Sequence, residues 1–340
     1  MNFDFTDDQH AIKRTANELL ASRSSLARVR EHAEAGTYDD ELWKELAGLG
    51  WPGIFIDEAY GGQGLGTVEL VILTEELGFA ATPSPFFSNA AAGLMIAQAG
   101  SDEQRERWLP GIASGEALGT VGVLSNGSAP LVPDAAAADL IVLIDEDRAS
   151  VVEASAATVE EVATIDPTRR FARVEADAGE PLDGDVPAGL DRIETALAGE
   201  LTGLAQHAME MAVEYARERT QFGRPIGAYQ AVSHECAQML LEVEGARAAT
   251  YYAAWTADAE PEMLPLAASM AKAYAADAGW RVTASSLQVH GGIGFTWEHD
   301  LQFLLKRAKT DGHLFGDART HRDRVADLAG LGREPVPAPA

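Results

Sequence analysis

The chain has 340 residues, longer than one typical domain and long enough to bury a large core. Its apolar content of 46 % is ordinary for a globular protein, and no run of about 18 apolar residues offers a membrane-spanning helix. The formal net charge of −27 argues against nucleic acid and anionic membrane as partners, since both need clustered Lys and Arg to displace counterions.

The start, Met1 to Arg14, places acidic residues first and has no apolar stretch, so no secretory signal and a cytoplasmic location are expected. Residues 1–116 predict an N-terminal helical domain. Thr6-Asp7-Asp8 is a helix start signal, and Ile12, Ala16, Leu19 and Leu20 continue at helical spacing to Arg23. Asp39 to Leu49 predicts a second helix closed by Gly50, and Trp51 to Gly66 a Gly-rich loop. A further helix, Thr67 to Leu77, is expected to end at Gly78, and Thr82 to Pro85 breaks the chain before another.

Residues 117–187 change texture. Thr120–Leu124, Leu140–Ile144 and Ser150–Val152 are short β-branched runs between Pro, Gly and Asp clusters, which predicts a small antiparallel β-domain. Residues 188–330 read as a C-terminal helical bundle. Leu197, Leu201, Leu204, Ala208, Met211 and Tyr215 form a narrow apolar seam, and helices are expected over Ala231–Asp258, Glu262–Val289 and Glu298–Lys309. The single cysteine, Cys236, cannot form an internal disulfide and reads as a small apolar residue on a helix. The tail, residues 331–340, carries three prolines and is expected to be disordered. The fold class is therefore mainly α, with a reduced β module in the middle.

Two Gly-rich turns stand out. Gln221-Phe222-Gly223-Arg224-Pro225-Ile226-Gly227 makes a tight reversal between helices, with Arg219 just before it as a candidate two-pronged phosphate ligand. Gln288-Val289-His290-Gly291-Gly292-Ile293-Gly294 ends a second long helix, and its glycines would let a ligand approach the backbone. Glu298-His299-Asp300 invites a metal or triad reading, but it has no companion ligands and reads better as an acidic helix start. No metal site is expected.

The paired turns, with Tyr215-Ala216-Arg217-Glu218-Arg219 before them, resemble the signature of the acyl-CoA dehydrogenase family, and the resemblance covers nearly the whole chain. It implies an N-terminal helical domain, a middle β-domain and a C-terminal four-helix bundle, with FAD as cofactor and a reaction that forms an α,β-double bond in a CoA thioester. It also implies that Arg219, Gln221, Phe222, Gln288, Gly291 and Gly292 contact the ADP half of an FAD seated in a neighbouring subunit. An electron-transfer flavoprotein would take the electrons.

The same resemblance makes departures visible. The dehydrogenation needs a carboxylate to take the α-proton, and ungapped counting from Gly292 puts Phe315 where the family has that Glu. Glu194 and Glu200 are the alternative bases: Glu194 could equally complete a capping box begun by Asp191, and Glu200, beside the apolar seam, could carry a raised pKa. The stretch Val123–Pro130 lacks the family's ring-holding pattern, and no Trp occurs between Trp108 and Trp255. An ADP clamp kept and a catalytic half lost resembles the short subunit of actinobacterial α2β2 acyl-CoA dehydrogenases of steroid side-chain degradation. That implies a larger catalytic partner chain in a heterotetramer and an acyl-CoA substrate. A self-sufficient homo-oligomer using Glu194 or Glu200, and a non-catalytic scaffold subunit, are the alternatives.

Overall fold

The computed structural model describes residues 4–331; the first three residues and the tail beyond Leu331 lie outside the described residues. Helix α1, Asp7–Arg23, begins as expected. The Thr6 hydroxyl accepts from the Gln9 N–H at 3.2 Å while the Gln9 side chain accepts from the Thr6 N–H at 2.9 Å. A helix not anticipated, α2 (Leu26–Ala35), follows and closes on Gly36. Asp39 caps α3 (Asp40–Gly48) by accepting from Glu41 and Leu42, and single helical turns at Trp51–Gly53 and Glu58–Tyr60 lead to α4 (Thr67–Phe79). Gly78 does not end α4. It lies where a Cβ would collide with the backbone of Glu200, so the glycine serves close helix packing instead of a cap. Helices α5 (Phe86–Ala99) and α6 (Asp102–Ser114) complete the N-terminal part.

Seven strands follow: β1 (Gly119–Val123), β2 (Ala129–Pro133), β3 (Leu140–Asp145), β4 (Arg148–Glu153), β5 (Thr158–Val162), β6 (Phe171–Glu175) and β7 (Glu180–Leu182). They form two sheets, ordered β1-β3-β4-β7 and β2-β6-β5. The expectation of a purely antiparallel module is corrected at one pair. β1 and β3 run parallel, Gly119 opposite Leu140 and Val123 opposite Ile144, because β2 leaves to pair with β6 in the other sheet. Ala129, Val132, Ile141, Leu143, Val152, Ala172 and Val174 share a separate apolar core.

The C-terminal helices are α7 (Val186–Glu218), α8 (Gln230–Ala259), α9 (Leu264–His290), α10 (Leu301–Asp311) and α11 (Ala318–Leu328). α7 is central and packs on α4, α5, α8 and α9. The seam residues Leu197, Leu201, Leu204 and Ala208 are fully buried, but burial runs all round the helix over residues 193–205, wider than a seam. Gly199 and Gly203 allow this: a Cβ at Gly203 would collide with the Glu75 carbonyl oxygen on α4. The predicted cap at Asp191 is also corrected. α7 starts earlier, with Asp185 accepting from the Ala188 N–H at 3.0 Å, and Asp191 sits inside the helix, buried against Arg324. Asp300 likewise does not cap α10 with its side chain; it accepts from Arg30 at 2.6 Å. The architecture is the expected one: N-terminal helices, a small sheet module, then C-terminal helices.

Candidate functional site

The two Gly-rich turns lie at the same end of the C-terminal helices. Tyr215, one turn before Arg219, stacks on His290 with ring centroids 4.7 Å apart, which ties the end of α7 to the end of α9. His290 is thus structural: its Nδ1–H donates to the Ser286 carbonyl at 2.8 Å, and its ring also meets His299. After α7 the chain forms a hairpin, Thr220–Gln221 against Arg224–Pro225. Phe222 at its tip has φ +51° and is 92 % exposed, with its edge toward Tyr229. A large apolar side chain held in the left-handed region and left in water is an expense that a covered surface would explain. Phe295 (68 %) and Trp297 (74 %), which follow the second turn, are also exposed, the Trp297 ring lying under the Lys306 ammonium.

The chemistry of this end suits a diphosphate. Arg219 is exposed and, among the described residues, has no carboxylate partner, so its guanidinium is free to meet an anion. Gly291, Gly292 and Gly223 have open space where a Cβ would stand, so a ligand can reach the backbone. Gln288 is exposed beside them, whereas the Gln221 side chain is turned onto the Thr220 carbonyl at 2.8 Å.

The second feature is an apolar groove of ≈ 400 Å³ between the sheets and α10, walled by Val121, Val123, Leu131, Ile165, Leu314 and Phe315. No carboxylate lines it; Thr164, Lys309, Thr310 and His313 supply its polar atoms. Lys309 and His313 also border a neighbouring groove of ≈ 250 Å³ that contains Trp280, Arg319 and Arg322. Phe315, at φ +57°, packs toward Phe87 with centroids 6.3 Å apart. A phenyl ring stands at the groove wall where the resemblance expects a proton acceptor.

Neither alternative base lines the groove. Glu200 is 2 % exposed and serves as counterion to two buried guanidiniums. Its carboxylate accepts from Arg169 at 2.7 and 2.9 Å and from Arg307 at 2.6 Å. The expectation of a raised pKa is overturned: burial pushes it up, but the two arginines hold it below the ordinary value. Asp311 shares Arg169 at 2.7 Å, and burial drives its carboxyl up to about 8. Glu194 does have a raised pKa, about 8, from burial and the neighbouring Asp191. It faces α11, however, with His321 at 3.8 Å and Arg324 at 3.5 Å. Sequence reasoning missed Arg169, Arg307, Asp311 and Lys272. The signals available were weak: Arg307 and Asp311 stand one turn apart, and Lys272 is a lone cation in the small-residue run Ala267–Ala278.

Comparison with known proteins agrees with the fold. The acyl-CoA dehydrogenase N-terminal domain model matches residues 6–116 and the C-terminal domain model residues 188–329. Acyl-CoA dehydrogenase IpdE2 of Mycobacterium tuberculosis is 33 % identical over 92 % of this chain and 94 % of its own. Among solved structures, a variant of the steroid ACAD Tcur3481-Tcur3483 superposes with TM-score 0.86 at 28 % identity, covering 96 % of this chain and 98 % of that one. The ChsE4-ChsE5 complex from Mycobacterium tuberculosis gives TM-score 0.88 at 23 % identity over 98 % and 100 %, a likeness of fold. The chain belongs to the acyl-CoA dehydrogenase family.

Proposed function

We propose that this chain is the smaller subunit of a heteromeric, FAD-dependent acyl-CoA dehydrogenase. It contributes the ADP clamp of a site whose flavin ring and base lie on a larger partner, in an α2β2 heterotetramer. The observation that carries the reading is the contrast between its two halves. Arg219, Gln288, Gly291 and Gly292 are open and unpaired, with Phe222 exposed on the same hairpin as Arg219, whereas the groove has Phe315 for a base and both candidate glutamates are committed elsewhere.

When bound, FAD would supply the hydride acceptor for α,β-dehydrogenation. This chain's part is to hold the diphosphate by Arg219, present backbone at Gly291 and Gly292, and exclude water with Phe222 and Gln221 at the hairpin. The substrate is an acyl-CoA. The likeness to the steroid ACAD Tcur3481-Tcur3483 favours a steroid-derived acyl group, and an electron-transfer flavoprotein is the expected electron acceptor.

The test is flavin content and native mass of the chain purified alone and co-expressed with its genomic neighbour. A chain colourless alone and yellow as a heterotetramer supports the reading, and Arg219→Ala should then strip flavin from the complex. If Arg219→Ala leaves flavin content unchanged, the chain is a scaffold. A chain yellow by itself makes it self-sufficient. The specific observation on that side is the groove that persists beside Lys309 and His313.

A further inference from the structure

Lys272 is the least expected buried group in the molecule. It is fully buried on α9, and no carboxylate lies within ion-pair distance among the described residues. Its Nζ donates instead to two backbone carbonyls, Gly316 at 2.9 Å and Gly312 at 3.3 Å. Burying an ammonium group costs several kcal/mol by general estimate, and a methionine of similar length would fill the same space without that cost. What offsets that cost is the pair of carbonyls the amino group holds.

What it holds is the turn between α10 and α11. Phe315 and Gly316 there take φ +57° and +100°, two successive residues in a region that L side chains avoid. Such a turn persists only when its surroundings fix it. His321, buried on α11, supplies the second fixing point: its Nε2–H donates to the Phe315 carbonyl at 3.0 Å. That tautomer leaves Nδ1 as a lone pair facing Glu194 at 3.8 Å. Behind these stand Asp191 and Glu194 on α7 with Arg324 on α11, while Asp311 and Asp317, at the two ends of the turn, complete the charged groups that face Lys272.

We propose that Lys272 and His321 are positioning residues that grip the Gly316 and Phe315 carbonyls and thereby fix the Phe315 ring as one wall of the apolar groove. They touch neither groove nor ligand; they act through the turn. The proposal stands on the turn itself and does not depend on which subunit holds the flavin.

Amide hydrogen exchange of the full chain, alone and in its complex, tests this. Gly312, His313, Leu314 and His321 have hydrogen-bonded amides that report on the turn. In Lys272→Met, exchange over residues 312–321 should rise roughly tenfold while α4 and β3 stay unchanged. His321→Leu should do the same, and His321→Gln, whose amide can still donate to the Phe315 carbonyl, should return exchange to the wild-type rate. Unchanged exchange at 312–321 in Lys272→Met and His321→Leu, or an equal rise throughout the chain, overturns the proposal. If Lys272→Met does not fold, the His321 pair decides: Leu loosening the turn and Gln restoring it supports the grip, and equal behaviour of the two refutes it.

Discussion

Replacing Glu200 with Gln separates a catalytic base from a buried counterion. Arg169 and Arg307 both place guanidinium nitrogens within hydrogen-bond distance of this one carboxylate, and all three side chains are essentially inaccessible. Glutamine keeps the shape but removes the charge, and its amide N–H points a donor at groups that can only donate. Asp311 is then left to serve two cations, and burial already drives its carboxyl up to about 8. Breaking a buried ion pair from one side costs about 3–5 kcal/mol, so Glu200→Gln should lose roughly two to three and a half powers of ten in its folding equilibrium constant. Urea unfolding at pH 7, followed by circular dichroism, reads that directly. Adding Arg307→Met should recover part of the loss, because the uncompensated cation goes with it. A Glu200→Gln protein within about 0.5 kcal/mol of wild type, still yellow in its complex but without turnover, would refute the counterion assignment and restore Glu200 as the base.

The remaining expectations follow from the same contacts. Glu194 and Asp311 have folded pKa values raised to about 8, so each gives stability that is fully present below its ordinary carboxyl range and lost as pH rises toward 8. His321, held down to about 4, works oppositely: its contribution is lost as pH falls toward 4 and is complete, and so constant, above its ordinary value near 6.5. Between about pH 6.5 and 8 the two carboxyl groups act unopposed, and stability should fall by roughly 1.4 kcal/mol per pH unit for each. Glu194→Gln should remove about half of that slope, and an unchanged slope would show that Glu194 is already ionised at neutral pH. Gly203→Ala should destabilise by about 2–3 kcal/mol despite alanine's better helix propensity, since its Cβ meets the Glu75 carbonyl; a thermal midpoint equal to wild type would contradict the close α4–α7 packing. Phe222→Ser should leave the unfolding of the isolated chain within about 0.5 kcal/mol, because the ring is already in water, yet weaken heteromer assembly by native mass. Loss of stability in the isolated chain would place the ring inside this subunit.

What could be read from the sequence was whatever is encoded locally. The helix start at Thr6-Asp7-Asp8, the break at Thr82–Pro85 and the two Gly-rich turns each depend on residues a few positions apart, and each is found where it was expected. The errors share the opposite cause. Gly78 reads as a helix end, but its partner is the Glu200 backbone, more than a hundred positions away. Asp191 followed by Glu194 has the spacing of a capping box, yet Arg324 takes Asp191 from the far end of the chain. Glu200 fits a raised-pKa carboxylate until Arg169 and Arg307 arrive from the sheet module and α10. A carboxylate's role depends on which cation reaches it, and no periodicity encodes that. The same holds for Phe315. Sequence counting can show that a carboxylate is missing there, but only the structure shows what stands in its place: a phenyl ring on a turn whose carbonyls two buried side chains hold. Buried Lys272 holds the Gly316 carbonyl and buried His321 the Phe315 carbonyl, so the left-handed turn that carries the ring is fixed from two sides. The wall that Phe315 makes therefore depends on side chains from α9 and α11, the first of them distant from it in sequence, which is why counting along the chain finds the missing carboxylate but not the ring's support.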